Sequence, residues 1–115
     1  MSNTLELERL ASGIWEHVCK NISDILKECD LYGLAGVLTV PDPSLESRIN
    51  ALRNLDQICQ LIIDNTNDAE YSVSRTMYNA KQQILNLEML LNAAKNNDDT
   101  GFNEAKIRLN GQSNH

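Results

Sequence analysis

Few side chains in this sequence are suited to chemistry, and their spacing decides what they can do. His17 is one of two histidines, the other being His115 at the C-terminus. On a helix His17 has Asn21 one turn later and Asp24 two turns later. That supplies an imidazole and one distant carboxylate, whereas a divalent metal needs three or four ligands in fixed geometry. The cysteines Cys19, Cys29 and Cys59 are odd in number and form no C-x-x-C pair, so they read as structural thiols of a reducing compartment. Cys19 lies two residues from His17, on a different side of a helix, and the two cannot act as nucleophile and base. No G-x-S-x-G occurs, and Gly33 and Gly36 lack the following Lys-Ser/Thr of a phosphate-cradling loop. Of sixteen carboxylates, Asp56 alone sits beside apolar positions, Leu52 and Cys59, where it reads as a structural acid for Arg53, Arg75 or Lys81. The sequence therefore points away from an enzyme: no catalytic residue, cofactor site or metal site is assigned, and no cofactor is expected.

The elements that would position these residues are helical. Asn3 with Glu6 fits a capping box, and Leu7, Ala11, Ile14, Val18, Ile22, Ile25 and Cys29 then advance by threes and fours, widened by Trp15 and Leu26. Gly13 inside this helix costs up to ~1 kcal/mol against alanine, and Gly33 suits a left-handed cap at its end. In "VPDPS" both prolines push the preceding residue toward extended geometry, which predicts Asp42 as N-cap and Pro43 as the first residue of a second helix. That helix lines up Leu45, Ile49, Leu52, Leu55, Cys59, Ile62 and Ile63. Asn67 with Glu70 caps the next helix after a tight turn, predicting an antiparallel hairpin.

The third helix, about Asp68 to Asn96, is the most informative. Val73, Met77, Ala80, Ile84, Leu87, Leu91 and Ala94 keep an unbroken four-three spacing, the seam of a coiled coil. Tyr71, Tyr78, Leu85 and Met89 form a second, partly aromatic stripe on another side. The expected fold is all-α: a small bundle of three long helices over 1–97, followed by a polar tail over 98–115. That tail admits a turn or two of amphipathic helix from Gly101 to Leu109, with its last six residues disordered. Between the first two helices, "LAGVLTV" places Leu34, Val37, Leu38 and Val40 where a connector is ordinarily polar. This segment reads as a buried strap, a strand for a second copy or an apolar patch for a partner.

Composition narrows the partners. A chain of 115 residues with 42% hydrophobic and 23% charged residues is of ordinary globular make-up. Its longest apolar run, Leu31 to Val40, is half of the ~20 residues that a membrane span needs. No membrane association is expected, and the acidic start "MSNTLELER" suggests a cytoplasmic protein. A net charge of −6 repels phosphate backbones, so direct nucleic-acid binding is not expected and a basic protein surface is a suitable partner. The function expected is a protein-binding regulator or adaptor that forms a homodimer through helix faces. The surface would be Tyr71, Tyr78, Leu85 and Met89, or the loop residues Leu34, Val37 and Leu38. A second reading is an acidic inhibitor, of the kind mobile elements carry, occupying a partner's basic nucleic-acid-binding groove.

A third reading rests on "HVCKN". Lys20 three residues after a helical His17, in an acidic helical chain, resembles a histidine phosphotransfer domain. The resemblance covers only this motif, and Asn21 stands where that family has glycine. It implies a four-helix bundle on which an exposed His17 accepts a phosphoryl group that Lys20 stabilises.

Overall fold

The apolar faces read from the sequence become long helices in the computed structural model, which describes residues 4–66 and 71–113. In chain order these are α1 (Thr4–Glu28), the single turn α2 (Tyr32–Ala35), a 3-10 turn (Gly36–Leu38), α3 (Leu45–Asn65), α4 (Tyr71–Lys95) and α5 (Asp99–Ser113). The described residues are all-helical, and none of the helices is long and apolar enough to cross a membrane. The expected caps at Asn3 and at Asn67 with Glu70 lie outside the described residues.

Helix α4 is the hub, because α1, α3 and α5 all pack on it, and α3 does so most extensively. Three ion pairs give the register of α3 on α4: Glu46 with Lys95, Arg53 with Glu88 and Asp56 with Lys81. One number rises as the other falls, so the two helices run antiparallel. Helix α1 runs parallel to α3: Arg48 Nη1 donates to Ser12 Oγ at 3.1 Å, and Glu8 and Ser12 share a cavity with Ser44, Glu46 and Lys95. The C-terminal end of α1 therefore lies at the far end of the bundle from the start of α3. The chain between them must travel back along the bundle, and this explains both its length and its apolarity. It covers core as it goes, burying Leu38 and half-burying Leu31, Leu34, Ala35, Val37 and Val40.

The expectation of three long helices is corrected by a fourth. Helix α5 occupies the segment read as a tail and stays helical through Ser113, with Asn114 and His115 outside the described residues. Its burial is carried by three residues at helical spacing, Phe102, Ala105 and Leu109. The turn into α5 is tight. Asn97 takes a left-handed φ of 55°, its N–H reaches Ala94 O at 3.2 Å and the Asp98 N–H reaches Ala93 O at 2.8 Å, which is the Schellman pattern that satisfies terminal carbonyls. Asp98 then caps α5, accepting from the Gly101 N–H at 3.0 Å. Glycine suits position 101, since a Cβ there would run into the capping Asp98 carboxylate.

Two further end signals differ from expectation. Helix α1 closes not at Gly33 but at Asp30, with φ of 61°, the Asp30 N–H on Lys27 O at 3.0 Å and the Leu31 N–H on Leu26 O at 2.9 Å. An aspartate tolerates the left-handed region because its short polar side chain bonds locally. Helix α3 is capped by Ser44, whose Oγ accepts from the Ser47 N–H at 3.2 Å, two residues later than the expected Asp42. Asp42 instead accepts from the Ser44 N–H at 3.0 Å and the Ser47 hydroxyl at 2.7 Å, and these bonds hold its carboxyl below the usual carboxylate range.

Candidate functional site

The surface of α4 is divided by its neighbours. The seam positions Met77, Ala80, Ile84, Leu87, Leu91 and Ala94 are fully covered and Val73 half-covered, while Asn86, Leu90 and Ala93 form a second buried strip off the seam. The close approach of Gly101 to Ala93 places α5 on that strip. Asn79, two turns before Asn86 on the same side, is exposed.

One side of α4 remains partly open, and three of its residues are large and apolar, with Gln82 between them. Tyr78 is 56% exposed, Leu85 36% and Met89 37%; the side chain of Tyr71 lies outside the described residues. The three are spaced by seven and four residues, so they stand in one row along α4. On α3, Leu61 is 61% exposed, and the register of the ion pairs brings it level with the Tyr78 end of that row. A scattered exposed leucine needs no explanation, but a row of three on the most buried helix of the bundle is an unpartnered face.

The other sequence-derived candidates separate from this face. Of the loop residues, Leu38 is buried and Leu34 and Val37 are half-buried against the core, which is the placement of a strap. His17 is exposed on α1, and the nearby Lys20 ammonium is held by Asp24 at 3.2 Å. No group of three or more His, Cys, Asp or Glu able to hold a metal occurs among the described residues. Asp56 lies half-buried with Oδ1 2.9 Å from Lys81 Nζ, so of its three candidate partners, Arg53, Arg75 and Lys81, it takes Lys81.

Burial disfavours the thiolate at all three cysteines, of which Cys59 is buried and Cys19 and Cys29 are half-buried. Desolvation pushes Cys19 up to about 12 despite the nearby Arg48 charge, and Cys59 up to about 11 with the Asp56 carboxylate adding to the effect. Cys29 is also raised, chiefly by burial and then by Glu28 and Asp30. A nucleophilic cysteine needs the opposite environment, one that stabilises the thiolate.

Sequence reasoning missed Arg48. Its guanidinium lies 5.2 Å from the centre of the Trp15 ring and binds Ser12, so one side chain of α3 clasps two successive turns of α1. Arginine suits this place because its planar, weakly hydrated cation stacks on an aromatic face while still donating at its edge. No family model, curated protein or solved structure matches the chain.

Proposed function

We propose that this protein is a non-enzymatic protein-binding regulator or adaptor that pairs with a second copy of itself through the open side of α4. The observation that carries this reading is the exposed row Tyr78, Leu85 and Met89 on a helix whose other sides are covered by α1, α3 and α5. A two-fold pairing suits such a row, because a helix face laid antiparallel on its own copy meets the same residues in reverse order. Tyrosine and methionine suit an interface that must be stable both wet and dry: the phenol keeps its hydroxyl in water, and the thioether adapts to irregular contacts. Three residues are few beside the roughly 20–30 a side of a standard interface, so a weak association is expected. The experiment is sedimentation velocity of the wild-type chain beside Tyr78→Glu. Concentration-dependent dimerisation that the variant loses, with helicity unchanged, supports the proposal, and monomers in both refute it.

A second reading has its own observation. Glu6, Glu16, Asp24 and Glu28 all stand exposed along α1, on a chain of net charge −6. A basic partner groove would be met by this side, and binding would then weaken steeply with salt and fall when the four are neutralised together.

A further inference from the structure

Helices α1 and α5 both pack on α4 and leave an open groove of about 400 Å³ between them, lined by Arg9, Leu10, Gly13, Ile14, Lys106 and Asn110. Three features of this lining bear on what it could hold. Its floor is apolar, since Leu10 is 41% exposed and Ile14 half-buried. Its cations come from both walls, Arg9 from α1 and Lys106 from α5, and no carboxylate lines it, on a chain with sixteen acidic and ten basic residues. Neither cation makes an ion pair among the described residues.

Gly13 is the third feature. It sits in the middle of a 25-residue helix, where glycine costs up to ~1 kcal/mol against alanine, and a Cβ built on it meets nothing within 4 Å. No neighbouring atom demands its small size, which holds equally for Gly33, Gly36 and Gly111; what is particular to Gly13 is its place in the groove lining. What the missing side chain leaves is the opening of the groove itself.

We infer that this groove binds a small amphipathic anion: a carboxylate on an aliphatic body, with the body over Leu10 and Ile14 beside Gly13 and the charge between Arg9 and Lys106. The volume falls at the small end of the range for ligand sites. A volume of about 400 Å³ suits a single alkyl chain laid along Leu10 and Ile14 of α1 rather than a helix of ~10 Å diameter. Two cations facing one carboxylate, with the Asn110 amide beside them, supply charge-assisted donors that a neutral amphiphile could not use. The site is separate from the exposed row of α4 and does not depend on dimerisation.

The test is a titration of the isotope-labelled full chain with decanoate below its micelle concentration, followed by amide chemical shifts. The expected result is saturable shifts confined to residues 9–14 and 106–110, with decanol binding about tenfold more weakly or worse. Gly13→Leu, which grows a side chain into the open groove, is expected to abolish the shifts with an unchanged or higher melting temperature. The double variant Arg9→Gln, Lys106→Gln is expected to weaken decanoate at least about tenfold with helicity intact. The inference is overturned by the absence of saturable shifts, by shifts mapping elsewhere, by decanol binding as well as decanoate, or by Gly13→Leu binding like the wild type.

Discussion

Replacing Phe102 by alanine tests whether α5 is a structural helix of the bundle or an appendage. Phe102 is 2% exposed and is by far the largest of the three residues through which α5 buries itself. Truncating a buried phenylalanine costs about 3–5 kcal/mol, the lost transfer energy plus the cavity left behind. The upper end applies where the site cannot collapse, and here the backbone is fixed on both sides of the turn by Asn97, by Asp98 and by the passage of Gly101 past Ala93. A domain of this size has about 5–15 kcal/mol of stability in total, so the substitution removes a large share of it. At about 4 °C per kcal/mol, the melting temperature falls by about 12–20 °C. Urea melts followed by circular dichroism at 222 nm measure the difference. A single cooperative transition with a lowered midpoint is expected, because Leu90 and Ala93 of α4 lose their cover when α5 leaves. A loss below ~1 kcal/mol, or a separate early transition that spares the rest of the signal, would refute the packing argument for α5.

Three further outcomes follow from local structure. Asn97→Gly relieves a left-handed backbone at the end of α4 and is expected to raise stability by about 0.5–1 kcal/mol, seen as a higher midpoint in the same melts. Gly13→Ala should stabilise by up to ~1 kcal/mol because its Cβ meets open space, while Gly101→Ala should destabilise because its Cβ meets the Asp98 cap; equal effects would contradict the geometry. The thiols predict a decline at alkaline pH. An acid whose folded pKa lies above its unfolded value of about 8.5 contributes stability that is complete below that value and lost as pH rises toward the folded one. With Cys19 at about 12, this thiol contributes a loss of up to about 1.4 kcal/mol per pH unit above about pH 9. Urea midpoints of Cys19→Ser between about pH 8 and about pH 10.5 should fall less steeply than those of the wild type.

The hairpin of α3 and α4 was legible because its burial follows a single repeat: the seam from Met77 to Ala94 is covered as its four-three spacing requires. Asp56 was legible as an acid among apolar neighbours that needs a cation, although which cation depended on the register between the helices. Helix α5 was obscured by composition. Its three buried residues sit among Asn, Gly and charged neighbours, and Gly101 and Gly111 lower its helix propensity. The available signal lay on α4, where Leu90 and Ala93 are apolar but off the seam, and so required a helix that the first three do not supply. The end of α1 went to Asp30 rather than Gly33 because a local bonding pattern with Leu26 and Lys27 outweighed the intrinsic freedom of glycine. Arg48 was not legible, since stacking on Trp15 depends on α1 and α3 lying parallel, which follows from the path of the strap rather than from periodicity. The exposed row of α4 was visible as a stripe from its spacing, but only the placement of α1, α3 and α5 shows that Tyr78 stays more than half exposed, and Leu85 and Met89 36% and 37% exposed.

The proposed role stands on that row, and sedimentation equilibrium of the wild-type chain up to about 200 μM, a range set for a weak interface, tests it most directly. The proposal predicts a weight-average mass rising from 12.9 kDa toward twice that value, with Tyr78→Glu held at the monomer mass across the range. A wild-type chain that stays at 12.9 kDa at the highest concentration, or a Tyr78→Glu chain that dimerises equally well, would contradict it.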